Sequence, residues 1–137
     1  MAEDLDALRG TPLFSAMSDK DLGRIESLAK VVTHEQGQSV VEEDQTAIGF
    51  HLILEGEAEA LVAGKPVAKL GRGNYFGEMS LLDGKPRSAT VQATSTLKTL
   101  VIPSWDFNRM LDQHPEMMRG LLVELCRRLR KIEGERG

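Results

Sequence analysis

A chain of 137 residues with 41% hydrophobic and 28% charged side chains is sized and composed for one globular domain with a real core. Its formal net charge of −4 excludes a protein that grips nucleic acid by broad neutralisation of phosphates. The single cysteine, Cys126, rules out an internal disulfide and has no zinc spacing around it.

The acidic start Met1-Ala2-Glu3-Asp4 lacks the basic and apolar regions of a secretion signal. No apolar stretch approaches the roughly 18 residues of a membrane span. A cytoplasmic protein with no membrane contact is expected.

The first 29 residues read as helical. Asp4 to Leu8 forms a short amphipathic turn stopped by Gly10 and Pro12, and Leu13 and Phe14 pack beneath the next helix. For that helix Ser18 is a good N-cap, with Asp19 and Asp21 facing the positive end of the helix dipole. Leu22, Ile25, Leu28 and Ala29 recur at three- and four-residue spacing and give it one apolar face.

From Lys30 to Pro103 the period changes to short strands. Val31-Val32-Thr33, Ser39-Val40-Val41 and Phe50 to Leu54 are β-rich runs. Glu57 to Val62 alternates, so Ala58, Ala60 and Val62 should share one face. Ala63-Gly64-Lys65 is a hairpin loop, Pro66 to Leu70 the returning strand, and Gly71 and Gly73 end it. Ala89 to Ala93 and Thr96 to Ile102 are the last strands.

Pro103 stops the sheet, and Ser104 caps a helix carrying Trp105, Phe107, Met110 and Leu111. Gln113-His114-Pro115 breaks it, with Pro115 at the first position of the next helix. That helix runs from about Glu116 to Glu133, with Met118, Leu121, Leu122, Leu125, Leu129 and Ile132 along one stripe, and Gly134 ends it. The fold class is mainly β: a β-roll or jelly-roll of about eight antiparallel strands, with an N-terminal helix and two C-terminal helices. Residues 1–137 form one domain, helical over 1–29, a β-roll over 30–103 and helical again over 104–133.

The run Phe76 to Val91 breaks the strand rhythm and concentrates groups able to hold a small anion. Gly77 lets a ligand lie against bare backbone. A turn starting near Glu78 offers free amide hydrogens. Arg87 can hold a phosphate through two parallel hydrogen bonds, and Ser88 adds a hydroxyl, with the Ser88 and Ala89 amides beside it. Glu78 would repel a phosphate unless it served another part of the ligand, such as a ribose hydroxyl. Acid plus arginine therefore implies a sugar phosphate.

Phe76-Gly77-Glu78-Met79-Ser80-Leu81-Leu82 followed by Pro86-Arg87-Ser88-Ala89-Thr90-Val91 closely resembles the phosphate-binding cassette of the cyclic nucleotide-binding domain. Pro12-Leu13-Phe14, Gly37, Ile53-Leu54-Glu55-Gly56 and Gly71-Arg72-Gly73 extend the resemblance over nearly the whole chain. It implies that Glu78 binds the ribose 2′-OH and Arg87 the cyclic phosphate. Gly77, Met79, Ser88 and Ala89 would complete the cassette, with Ala60, Val67 and Leu70 lining the base pocket. A side chain of the last helix should close over the base, with Leu125, Leu129 and Arg130 as candidates.

Cyclic AMP is the expected ligand and cyclic GMP the other candidate, since the hydroxyl of Ser88 suits both; no cofactor or metal is expected. A β-roll also suits a cupin metalloenzyme, but His34, His51 and His114 include no His-x-His pair and are not spaced as metal ligands. The basic run Arg127-Arg128-Leu129-Arg130-Lys131 reads as a solvated helix face complementing the helix dipole. The resulting expectation is a regulatory sensor without catalysis that moves its C-terminal helices on ligand capture. Its partners would be a cyclic nucleotide and either another protein or a second copy through the terminal helix, with no nucleic acid. The alternatives are an interaction module that has lost the ligand, or the sensor piece of a larger regulator.

Overall fold

The computed structural model describes residues 2–15, 17–42, 49–77 and 89–136. Two helices lead in, α1 (Ala2–Arg9) and α2 (Asp19–Leu28). Strands β1 (Lys30–His34), β2 (Ser39–Val41), β3 (Gly49–Glu55) and β4 (Ala58–Val62) come next. They are succeeded by β5 (Lys65–Leu70), β6 (Tyr75–Phe76), β7 (Thr90–Ala93) and β8 (Leu97–Pro103). Helices α3 (Ser104–Gln113) and α4 (Pro115–Arg136) close the described chain. Among the described residues no helix is long and apolar enough to cross a membrane.

The strands form two four-stranded sheets, ordered β1-β8-β3-β6 and β2-β7-β4-β5, with antiparallel pairing throughout. This is the β-roll with flanking helices that the turn spacing implies. Strand β3 sits inside the first sheet and is buried on both faces. Phe50, Leu52 and Leu54 point into a cluster shared with Leu8, Phe14, Leu22, Phe107, Met117 and Leu121 from the helical side. Ile53 points the other way, into a second cluster with Val41, Ala58, Val91 and Ala93 between the sheets. One strand therefore serves two cores.

Ser18 caps α2 as expected, its hydroxyl accepting from the Asp21 amide at 3.2 Å. The β4–β5 register passes over Val67 of β5, between Ala60↔Ala68 and Leu61↔Pro66, while β4 keeps continuous register with β7 and its last residue, Val62, is 40% exposed. Three local expectations change. Strand β6, only two residues long, has no counterpart among the expected strands. Pro103 occupies the cap position of α3 without a side-chain bond, because β8 runs directly into the helix, and Ser104 becomes its first residue. The buried Asp106 carboxylate lies in that first turn and pairs with Arg109 at 2.6 Å. Helix α4 passes through Gly134 to Arg136; one glycine costs a helix only about 1 kcal/mol and is no stop by itself.

Helix α4 is seated by Met117 and Leu121 and by the close approach of Gly120. A Cβ built there would lie 3.4 Å from Leu13 Cα and 3.4 Å from the Pro12 carbonyl oxygen. Leu122, Leu129 and Ile132 of the predicted stripe are exposed.

His34, at the end of β1, is buried; its Nε2 lies 3.4 Å from Thr99 Oγ1 and its Nδ1 has no partner among the described residues. Burial lowers its pKa from the ordinary 6.5. The unfolded chain then binds the proton more readily than the fold does. Stability from the neutral ring is complete above pH 6.5 and is lost as pH falls from there through the folded value. Urea midpoints should therefore drop between about pH 7.5 and about pH 5.5, and drop less in His34→Gln. An identical drop in the variant would assign the acid sensitivity elsewhere.

Candidate functional site

Three elements converge on one cavity of about 570 Å³, a size suited to a small organic ligand. Its sheet wall is made by Val41, Ala60, Ala68, Leu70 and Val91, small and aliphatic side chains that leave room for a flat group. The turn after β5 supplies Gly73 and Asn74. Asn74 folds this turn on itself, its Oδ1 accepting from the Gly71 amide at 2.8 Å. The Asn74 carbonyl oxygen in turn accepts from the Ile53 amide at 2.9 Å. The turn thus docks on β3 and aims the next residues at the cavity.

Those residues are Tyr75, Phe76 and Gly77, all lining it. Phe76 stacks flat on His51, with ring centroids 4.8 Å apart and planes 4° apart. Gly77 has φ of 101°, in the left-handed region that a side chain would oppose. Ala89 also lines the cavity. The residues on either side of 78–88 therefore both stand at this site.

The third wall is α4, which contributes Glu124, Arg127 and Arg128, with Pro12 beside them. The Glu124 carboxylate accepts from Arg127 at 2.8 Å and lies 3.8 Å from Arg128 Nε. The Arg128 guanidinium sits over the Tyr75 ring, 5.4 Å from its centroid. Helix α4 is thereby tied across the cavity to β6.

Of the residues singled out from the sequence, Gly77, Ala89, Ala60 and Leu70 line this cavity together. Glu78, Met79, Arg87 and Ser88 lie outside the described residues. Val67 is 61% exposed on β5 and Arg130 is exposed on α4, and neither they nor Leu125 and Leu129 are among the lining residues. Of the α4 residues that do face the cavity, Arg127 and Arg128 belong to the run that reads as solvated in the sequence, and Glu124 precedes it. A usable signal is nevertheless present: Met117, Leu121, Glu124 and Arg128 have four-three-four spacing, so the core-facing stripe turns polar where it reaches the cavity. His34, His51 and His114 stand on β1, on β3 and between α3 and α4, and no group of three potential metal ligands occurs among the described residues.

The chain is 36% identical over 115 residues to a cAMP-dependent protein kinase regulatory subunit of Eremothecium gossypii, covering 83% of this chain and 25% of that protein. The chain spans about a quarter of the length of the curated relatives it matches. Its fold is similar to that of the cAMP-bound PfPKA-R structure, with TM-score 0.82 at 24% identity over 96% of this chain and 45% of that one. It is also similar to the Thermus thermophilus catabolite activator protein, with TM-score 0.81 at 27% identity over 91% of this chain and 61% of that one. Residues 31–114, from β1 to the end of α3, match the model of the cyclic nucleotide-binding domain, and the chain belongs to that family.

Proposed function

We propose that this chain is a cyclic AMP sensor without chemistry of its own, which reports ligand capture through α4. The observation that carries this reading is the shared cavity. Its aliphatic sheet wall suits a purine, Gly77 and Ala89 stand on either side of the acid–arginine segment, and α4 forms the remaining wall. In that segment Arg87 would take the cyclic phosphate and Glu78 the ribose 2′-OH, with Met79 and Ser88 completing the cradle. Cyclic AMP is favoured over cyclic GMP because the Eremothecium gossypii relative is a cAMP-dependent protein kinase regulatory subunit and the similar PfPKA-R structure is cAMP-bound. Arg128, already stacked on Tyr75, is the α4 side chain best placed to cover a base. A ligand in this cavity meets α4 directly, so its affinity must depend on where α4 sits, and it shifts the helix through that difference.

Titration calorimetry with cyclic AMP and cyclic GMP tests the reading. Saturable heat is expected with both, tighter for cyclic AMP. Arg87→Ala should weaken binding roughly tenfold to a hundredfold, as loss of charge-assisted hydrogen bonds to a phosphate implies. No heat with either nucleotide would end the sensor reading. Unchanged affinity in the variant would move the phosphate site away from Arg87.

A further inference from the structure

The described cavity wall differs in charge from the chain as a whole. The protein carries a formal −4, yet the charged side chains among the described lining residues are Lys69, Arg127, Arg128 and Glu124. Three cations against one carboxylate leave two positive charges on this wall. They come from separate elements, Lys69 from β5 and the others from α4. Lys69 and Arg127 are exposed at the rim, while the Glu124 side chain is only 21% exposed and shares its charge between both guanidinium groups.

We infer that Lys69 and Arg127 form an electrostatic capture rim that sets how fast an anionic nucleotide enters, with Glu124 as its built-in brake. The inference rests on the cavity taking a cyclic nucleotide, whose phosphodiester is singly negative. Concave low-dielectric walls focus a local field and raise the on-rate of a ligand of opposite sign. The rim lies within about a Debye length of an entering ligand, roughly 10 Å at 0.1 M salt. More distant acidic residues are screened by the same salt. At low ionic strength two influences therefore compete. The whole-chain charge would repel the nucleotide, and the local rim would draw it in. The sign of the salt dependence separates them.

Stopped-flow association of a base-labelled fluorescent cyclic AMP, on the wild-type chain from about 0.02 M to about 0.5 M ionic strength, reads this sign. The association rate constant is expected to fall about fivefold over that range. Lys69→Gln and Arg127→Gln should each lower the low-salt rate about twofold and flatten the slope, with the on-rate changing more than the off-rate. Glu124→Gln should steepen the slope, because it removes the brake; a merely structural role for Glu124 would not do so. An on-rate that rises with salt overturns the inference, as does an unaltered slope in both lysine and arginine variants. Wild-type protein that gives no calorimetric heat with either nucleotide overturns the sensor reading and the rim together. Heat combined with a rising on-rate overturns the rim alone.

Discussion

Phe50→Ala is expected to cost about 3–5 kcal/mol of folding stability, a large share of what a domain of this size possesses. Phe50 is fully buried and touches three other rings. It stacks on Phe107 of α3 at 4.7 Å and 11°, meets Phe14 edge-on at 5.9 Å, and tilts against Tyr75 at 5.2 Å. These rings come from the N-terminal turn, β6 and α3, so one side chain joins the helical layer to the sheet. No neighbour is free to collapse into the space, since each is fixed in its own element. The measure is the urea midpoint at unchanged slope. Phe50→Leu, which keeps most of the volume, should lose much less. A loss below about 1 kcal/mol for the alanine variant would mean that this ring cluster is not the organising contact of the core.

Gly56→Ala is expected to cost about 3 kcal/mol, unusual for the addition of one methyl group. Two effects combine. Gly56 has φ of 91°, which a Cβ opposes. A Cβ there would also sit far inside contact distance of the Thr96 carbonyl oxygen and 3.1 Å from both Leu97 Cα and Ser95 Oγ. The Thr96 oxygen cannot rotate away as a side chain would. The corner is held further by the Glu57 amide, which donates to Ser95 Oγ at 2.9 Å. Gly64→Ala supplies the comparison: φ is 79°, but nothing lies within 4 Å, so only backbone strain of about 1 kcal/mol should appear. Equal losses at the two sites, read from thermal or urea melts, would refute the steric account of the corner.

Much of this architecture is legible in order but not in pairing. β-Branched runs, glycine corners and helix caps mark most elements because those signals are local. The pairing of β1 with β8, which sets Val31 against Leu100, leaves no local trace. Strand β3 reads as a continuous apolar run because both its faces are buried, so period two cannot assign Phe50 and Ile53 to different cores. Strand β6 is too short for any periodicity, and its Phe76 reads as the start of the ligand loop. At the site, Gly77 is readable from the motif, and Ala60 and Leu70 through the resemblance that the motif carries. Glu124 and Arg128 are marked only by the polar continuation of the Met117–Leu121 stripe, and Arg127, exposed at the rim, is not marked at all, because a charged helical run most often faces solvent.

Strand β6 also bears on how the site can do mechanical work. Its two residues point opposite ways, Tyr75 into the cluster beneath the helices and Phe76 into the cluster between the sheets, and Gly77 comes immediately after. This edge of the cavity is riveted through both cores, and displacing it would mean opening two packed interiors together. Beyond Leu121, α4 keeps the partly buried Leu125 against the helical-side core and is otherwise tied by the Arg128–Tyr75 stack and the Glu124 ion pairs, polar contacts of a strength that water can replace. The cavity thus has an anvil and a hammer. On the proposed reading, a ligand touching both would shift the side that yields, and its binding energy would go into the helix instead of being spread over the roll.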